Sequence, residues 1–522
     1  MDVDSSSTCT RAVATFSPTG GRFLLRAGES YEQQYSHVYQ KRLTKLKPVL
    51  LSADSAAGKA MAAAAAEGYA VCERIVKLQP GQKACVVGCM FKDMVLRPNP
   101  LKRLAAAAAP ETVAAVGGAG GLAQYRSDDD TLILEDASGR VRLGGEAATK
   151  EFTDGLVTGI VVMVQGVCDD EGIFVVDKLC PAGFAPQPPR PAASGDASDA
   201  PLVLVLSGLG FGAGDDDAAA ALPDGTGVGN ALHLLTDFVC GHVGGPAEQR
   251  RAARIARVVI AGESVSRELA AESAGAKSAH HYTATGSLTK KQQRQLCEPM
   301  KQLDRFISEL AATVPVDLMP GATDPANVMM PQQPLHRCLL PMSTALPGYR
   351  ATTNPYSATI AGVDVLGHSG QPLHDMHRFS TASLEDCLTW RHIAPTAPNS
   401  LPCYPFSTHD PFVIESSPCV EYSPVLRHQQ HAVRAAHPTT LPACSLTAHT
   451  PRVHISLSPL LLFAHRHVFF SGNAEAFRSH EAVEDGVAVR VIEVPRFCTT
   501  ATAVLVNLQT LEATPITFGT EL

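Results

Sequence analysis

The residues whose types and spacing point to chemistry sit where strands end. In "RVVIAGESVS", residues 257 to 266, the β-branched run Val258-Val259-Ile260 ends in Ala261-Gly262, and Glu263 and Ser266 follow. Phosphodiester hydrolysis by two metal ions uses such a strand end: Gly-Asp, then Asp or Asn three residues on, direct oxygens onto the ions. The ions stand about 3.5–4 Å apart and clamp an in-line displacement, which calls for hard or borderline donors on both. Here the strand and the glycine are kept, and the donors read Glu and Ser. Other constellations carry less. His280-His281 and His374 with His377 have the chemistry of metal ligands, but unpaired exposed histidines are the commoner case. "GTGVGN", residues 225 to 230, lies in an acidic loop and lacks the lysine of a phosphate-binding loop. No Gly-x-Ser-x-Gly elbow follows a strand.

Holding such residues in place takes packed cores, and 522 residues are too many for one. A hydrophobic fraction of 45% with 18% charged residues describes a globular protein of two or more domains. The net charge of −8 excludes the basic footprint of a dedicated DNA binder. Lys41-Arg42 with Lys45 and Lys47 reads as a solvated helix face. The 14 cysteines are scattered, without paired CxxC spacing, so they form neither a zinc module nor a disulfide framework. The start lacks a charged region followed by an apolar one, and no apolar run reaches about 18 residues. A reducing compartment, cytosol or nucleus, is expected.

Along the chain, "YEQQYSHVYQKRLTKLKPVLL" (31–51) repeats Tyr31, Tyr35, Val38, Tyr39, Leu43 and Leu46 at helical spacing, with Pro48 near the expected end. Five short strands follow at 84–91, 130–136, 139–145, 156–167 and 172–179. Their spacing suggests a small Greek-key barrel of the OB type, interrupted by an Ala/Gly-rich insertion at about 104–123. With only Phe91 and Phe174 as aromatics, the barrel reads as protein-binding rather than base-stacking. "APQPPRPAASGDASDAP" (185–201) reads as a linker. Beyond it, "PLVLVLSGLGFGAG" opens a buried strand. A helix carrying Leu232, Leu235, Phe238 and Val239, the strand of residues 257 to 261, a second amphipathic helix and "PVDLMPG" complete a layered α/β pattern.

These stretches resemble the small (second, or B) subunit family of DNA polymerase delta. The resemblance rests on "RFLLRAGESYEQQYSHVYQKRL", "CVVGCMFKDMVLRP", "LVTGIVVMVQGV", "LVLVLSGLGFG", "VPVDLMPGATDPANVMMPQQPLH", "TNPYSATIAGVDVLGHSGQ", "RHIAPTAPNSLPCYPF" and "VFFSGNAEAF", in order along nearly the whole chain. The Tyr-rich first helix favours delta over the alpha and epsilon types. The resemblance implies an α/β plus all-β fold. An OB-type barrel with an N-terminal helix leads into a layered α/β calcineurin-like metallophosphoesterase fold without metal ligands. It implies a nuclear scaffold that holds the C-terminal domain of the polymerase delta catalytic subunit and a third, extended subunit. DNA would be met only within that complex, with no membrane and no cofactor. The layout is a tail at 1–30, helix and OB domain at 31–183, linker at 184–200 and phosphoesterase-like domain at 201–522.

Against the active family pattern, the metal motifs are degenerate. The Asp-x-His position reads Ser207, Gly208, Leu209; the second motif reads Gly262, Glu263 and Ser266. Gly-Asn-His-Asp/Glu becomes Gly321, Ala322, Thr323, Asp324, and Gly-His-x-His becomes Gly472, Asn473, Ala474, Glu475. Glu263, Asp324, His368 and Glu475 survive as polar groups but do not complete two coordination shells. Asp324 before Pro325 has the chemistry of a turn or cap. Two other functions stay open: an active metal-dependent phosphodiesterase or exonuclease, and a stand-alone single-strand DNA-binding OB protein. Residues 419–466 are foreign in composition, with six of the 19 histidines, no glycine, lysine or aspartate, and Glu421 as the one acid. Joining Pro418 directly to His467 restores the family-like "DPFVIESSPHVFFSGN", so a retained intron translated in frame is expected there.

Overall fold

The computed structural model describes residues 9–26, 28, 31–97, 124–145, 149–187, 198–212, 227–266, 290–415 and 466–519. The insertion at 104–123, His280-His281 and nearly all of 419–466 lie outside these residues; of the last segment only Arg466 is described, as the start of a strand.

Strand β1 (Phe16–Pro18) precedes helix α1 (Ser36–Leu51), whose buried residues Val38, Arg42, Leu46 and Leu50 recur every four residues. The buried stripe differs from the expected one. Tyr31 lies before the helix with its ring 5.3 Å from Tyr404 and 5.7 Å from Phe406, and Tyr35 is 44% exposed. Pro48 lies inside the last turn instead of ending the helix, which runs on as far as the wholly buried Leu50 and its neighbour Leu51. Arg42 is wholly buried, so the expected solvated basic face is wrong at its centre. Helix α2 (Ala56–Ala66), capped by Ser55, lays Ala57, Met61 and Ala64 on the barrel beside Val161 and Met163.

The barrel is built from β2 (Ala70–Cys72), β3 (Lys83–Asp93), β4 (Thr131–Glu135), β5 (Arg140–Gly145), helix α3 (Lys150–Asp154), β6 (Val161–Cys168) and β7 (Ile173–Cys180). The strand order is β2-β3-β4-β5-β7-β6, and β6 returns to pair with β3. Five strands thus close on themselves, with β5 and β7 parallel and a helix between the third and fourth, as in an OB fold. The chain leaving β7 stays packed past residue 183. Phe184 and Ala185 are buried, and Arg391 donates to the carbonyls of Gly183 and Phe184 at 2.7 Å each. The expected linker start is therefore core.

The remaining chain forms two six-stranded sheets. One contains β8 (Leu202–Leu206), β9 (Ile255–Ala261), β10 (Val316–Met319), β11 (Tyr349–Ala351), β17 (Thr502–Asn507) and β18 (Ala513–Thr517), in the order β11-β10-β9-β8-β17-β18. The other contains β1, β12 (Tyr356–Ile360), β13 (Val363–His368), β14 (Arg466–Ala474), β15 (Arg478–Glu484) and β16 (Val487–Pro495), in the order β1-β12-β13-β14-β16-β15. Period-two alternation sorts their side chains. Val203, Val205 and Val259 face Val365, Phe470 and Ile492 across the sandwich. Leu204, Leu206 and Val258 face α4 (Val228–Cys240) and α6 (Lys290–Ala311), which supply Leu235, Phe306 and Ile307; α5 (Pro246–Ala253) lies between them in sequence. On the far side, Leu366, Phe469 and Val491 pack toward the barrel through α8 (Gln371–Phe379) and α9 (Leu384–Thr389), which follow the short α7 (Pro341–Thr344).

Candidate functional site at the strand-end pole

β8, β9, β10, β13 and β14 run parallel within their sheets, so their C-terminal ends emerge together, where ligand sites of layered sheets usually form. The structure brings most of the degenerate motif residues to this pole. Ser207 follows β8, and its hydroxyl reaches the carbonyls of Val494 at 3.1 Å and Pro495 at 2.9 Å while accepting the Asn473 backbone N–H at 2.9 Å. Asn473 Nδ2 donates to the carbonyl of Ser369 at 2.8 Å and, at 3.4 Å, to that of Ala261. One serine and one asparagine thereby tie the two sheets together.

Asp324 acts as the expected cap. Its Oδ1 accepts the N–H groups of Ser264 at 2.8 Å and Val265 at 3.0 Å, and its Oδ2 accepts that of Gly321 at 2.8 Å. Burial pushes its carboxyl up to about 6, helped by neighbouring Glu263 and opposed by these three donors. Thr323 Oγ1 donates to Val265 O at 2.6 Å, and the Ser266 N–H donates to Phe211 O at 2.9 Å. Glu263 holds a left-handed backbone, φ 53°, and its carboxylate pairs with Arg496 at 2.9 Å. Such a conformation in a non-glycine residue costs of order 1 kcal/mol and persists where neighbours over-determine it.

The glycines explain how closely the turns approach. A Cβ on Gly321 would lie 2.2 Å from the Glu263 nitrogen, and one on Gly262 2.7 Å from Gly321 Cα. A Cβ on Gly472 would lie 2.8 Å from Ala261 O. The space between the strand ends is therefore filled with backbone.

Four positions fall outside the cluster. Leu209 is buried in the helix-side core, Ala322 and Glu475 are exposed, and His368 faces away from the sandwich. The His368 ring stands edge-on to Phe469 at 5.9 Å, on the barrel-facing side, and its Nδ1 accepts the Gly370 N–H at 3.1 Å. Burial, reinforced by His374, lowers its pKa to about 3. Residue types alone missed Arg496 and a second tier of polar groups. Asn354 Nδ2 lies 2.8 Å from Gln332 Oε1, Ser369 Oγ and Gln371 Oε1, and Gln332 Nε2 donates to Gly321 O at 3.0 Å. Their signal was amides placed among apolar residues in "MMPQQPLH" and "TNPYSATI".

A pair of catalytic metals does not fit here. The Ser207 hydroxyl, both Asp324 oxygens and the Glu263 carboxylate are already engaged. Among the described residues, no group of three or more His, Cys, Asp and Glu side chains converges to hold a metal.

Comparison with known proteins places this geometry in a lineage. A family described as "DNA polymerase delta subunit OB-fold domain" matches residues 34–179, and the family of the B-type subunits of DNA polymerases alpha and epsilon matches residues 203–432. The DNA polymerase delta small subunit of Arabidopsis thaliana is 33% identical, over 100% of this chain and 99% of the relative. The chain belongs to the DNA polymerase delta small-subunit family. The corresponding small subunit of Oryza sativa subsp. japonica is 30% identical over 98% of this chain and 99% of its own length. That of Saccharomyces cerevisiae is 25% identical over 92% and 89%. The OB-fold match runs from just ahead of α1 to the end of β7. The alpha/epsilon match opens inside β8, the first strand to reach the pole. For this small-subunit family member, the barrel is an OB-fold domain, as the strand pattern led one to expect.

Proposed function

We propose that this chain is a non-catalytic accessory subunit of DNA polymerase delta, a scaffold serving nuclear DNA replication and repair synthesis. The observation that supports this most directly is the filled pole. A catalytic phosphoesterase needs open coordination positions on its ions. Here serine, asparagine and glycine backbone occupy the strand ends, and the carboxylates serve as cap and ion-pair partner. We read residues 201–522 as a calcineurin-like phosphoesterase module whose motif positions, Ser207, Leu209, Glu263, Ser266, Ala322, Thr323, Asp324, Asn473 and Glu475, have lost their ligand role. The OB module at 31–183 and one face of this larger module would each be covered by a partner. One partner is the C-terminal domain of the catalytic subunit, the other a third, extended subunit, and DNA is met only within the assembly. We further propose that residues 419–466 are a retained intron. No helix among the described residues is long and apolar enough to cross a membrane.

The test is co-purification of the tagged full chain with the catalytic subunit, alongside metal analysis and a phosphodiester hydrolysis assay. The reading requires a stable stoichiometric complex, no bound manganese, zinc or iron, and no hydrolysis. Two metal equivalents per chain with turnover would replace it. Transcript sequencing across the codons for Pro418 and His467 checks the intron: a dominant message lacking the 419–466 codons is expected, and one that always keeps them refutes it.

A further inference from the structure

We propose that Arg496 is a resident cation that takes the electrostatic place of a bound metal at the strand-end pole and locks the two sheets together through Glu263. The two residues come from opposite sheets: Glu263 follows β9 and Arg496 follows β16. Their side chains meet at 2.9 Å, with Glu263 7% and Arg496 25% exposed. A carboxylate this buried, beside the equally buried Asp324, needs a counter-charge, because two anions in a desolvated space repel. In a metal enzyme an exchangeable ion would supply it. Here a guanidinium fixed to the chain does.

The placement of Arg496 is over-determined. Its backbone N–H donates to the carbonyl of Ala474 at 3.1 Å, anchoring it to β14, and its own carbonyl accepts the Thr500 N–H at 3.1 Å in the first turn of α10 (Phe497–Thr500). Its aliphatic stem lies across the turn after β8. A Cβ on Gly208 would stand 3.0 Å from Arg496 Cγ, 3.1 Å from its Cβ and 2.6 Å from Asn473 Oδ1, and Gly208 has φ +61°. The glycine is what lets the stem cross and the guanidinium reach Glu263. A divalent cation approaching Glu263 would meet a like charge already paired there. The pole is therefore sealed by a substitute cation as well as stripped of ligands. The lock operates within the single chain, independently of assembly with a polymerase, and its test uses no partner.

The experiment is a double-mutant cycle on the full chain, read as melting temperature with and without excess manganese chloride. Arg496→Met leaves a buried carboxylate without its cation, and Glu263→Gln leaves a guanidinium without its anion. Each is expected to lower the melting temperature by about 4 °C. The variant carrying both substitutions is expected to melt no lower than the worse single, because neither charge is then orphaned. Manganese should shift neither wild type nor any variant upward. Additive losses in the double variant, or a manganese-induced rise in the wild type, would overturn the proposal. If Arg496→Met yields no folded protein, the double variant decides alone: it must fold, and its failure counts against the proposal.

Discussion

At the scale of single residues, the strongest commitment in the molecule is Arg42. Its Nε donates to Asp410 at 2.7 Å, NH1 to the carbonyls of Gly159 and Pro395 at 2.8 and 2.9 Å, and NH2 to that of Ala397 at 2.7 Å. His392 Nε2 closes the group on Asp410 at 3.0 Å. A buried charge is tolerable only with such complete pairing, and removing one partner orphans the other. Asp410→Asn is expected to cost about 3–5 kcal/mol of unfolding free energy, measured by urea denaturation. Arg42→Lys should lose most of the same stability, because one ammonium cannot reproduce the fork. Burial and the nearby Arg42 lower the His392 pKa to about 4, against the pull of Asp410. A histidine kept neutral in the fold stabilises fully above its unfolded value near 6.5, and that stability drains as pH falls toward 4. The slope is about 1.4 kcal/mol per pH unit. Denaturation of His392→Asn across pH 6 to 4.5 should show a pH slope shallower than wild type by about that amount, and equal slopes would refute the assignment. None of this was legible in Arg42 itself. A cation among Lys41, Lys45 and Lys47 looks solvated, and its partners lie 117 to 368 residues away.

At the scale of elements, strands were legible and edges were not. The five barrel strands carry their own signal, apolar alternation between turn residues, and they appear within one or two residues of expectation, save that β6 starts at Val161. The polar pole was half legible. Gly262 and Gly321 announce turns, but the Asn354-Gln332-Gln371 tier depends on which strand ends meet, which no local pattern encodes. The tiny β1 carried no such signal, yet it covers one edge of the second sheet by pairing antiparallel with β12, Phe16 opposite Ile360. The Arg257 guanidinium lies 3.5 Å from the Phe16 ring centroid, and that of Arg350 4.9 Å. Upstream, Arg11 donates to the carbonyls of Val239, Ala252 and Ile255, strapping the ends of α4 and α5. Deleting residues 1–18 strips the sheet edge and removes cation–π contacts that contribute roughly 1 kcal/mol each. The truncated chain is expected to melt several degrees lower and to self-associate through the bare β12, seen as a rise in mass by light scattering. A monodisperse truncation of unchanged stability would show that the strap is dispensable.

At the scale of the whole molecule, the barrel and the sandwich share one hydrophobic core. Barrel residues Val86, Leu134 and Phe174 belong to the same buried cluster as Met376, Trp390 and Phe412 of the intervening segment and Phe469 and Val491 of the second sheet. Lys92 of β3, wholly buried, donates to the carbonyls of Thr153 and, across the junction, Phe379 at 2.8 and 2.9 Å. The Arg42 group adds the first helix to that junction. Gly159 shows how tight it is: a Cβ there would fall 2.2 Å from Pro395 O, with φ at +99°. Composition suggested separable domains because the Pro/Ala-rich stretch after residue 185 reads as a tether, yet the continuity of the core lies in contacts across hundreds of residues. Domains joined by small polar interfaces unfold in separate steps, whereas a shared apolar core couples them. The full chain is therefore expected to unfold in one calorimetric transition, with van't Hoff and calorimetric enthalpies in agreement. The barrel expressed alone as residues 31–187 should be poorly soluble, since it exposes the surface that Trp390 and Phe412 cover. Gly159→Ala supplies the local control. Its added methyl wedges the junction apart, and the single transition should then split into two or shift down by several degrees. A fragment 31–187 that is soluble and melts cooperatively, together with a full chain that melts in two steps, would show that the modules are joined rather than fused.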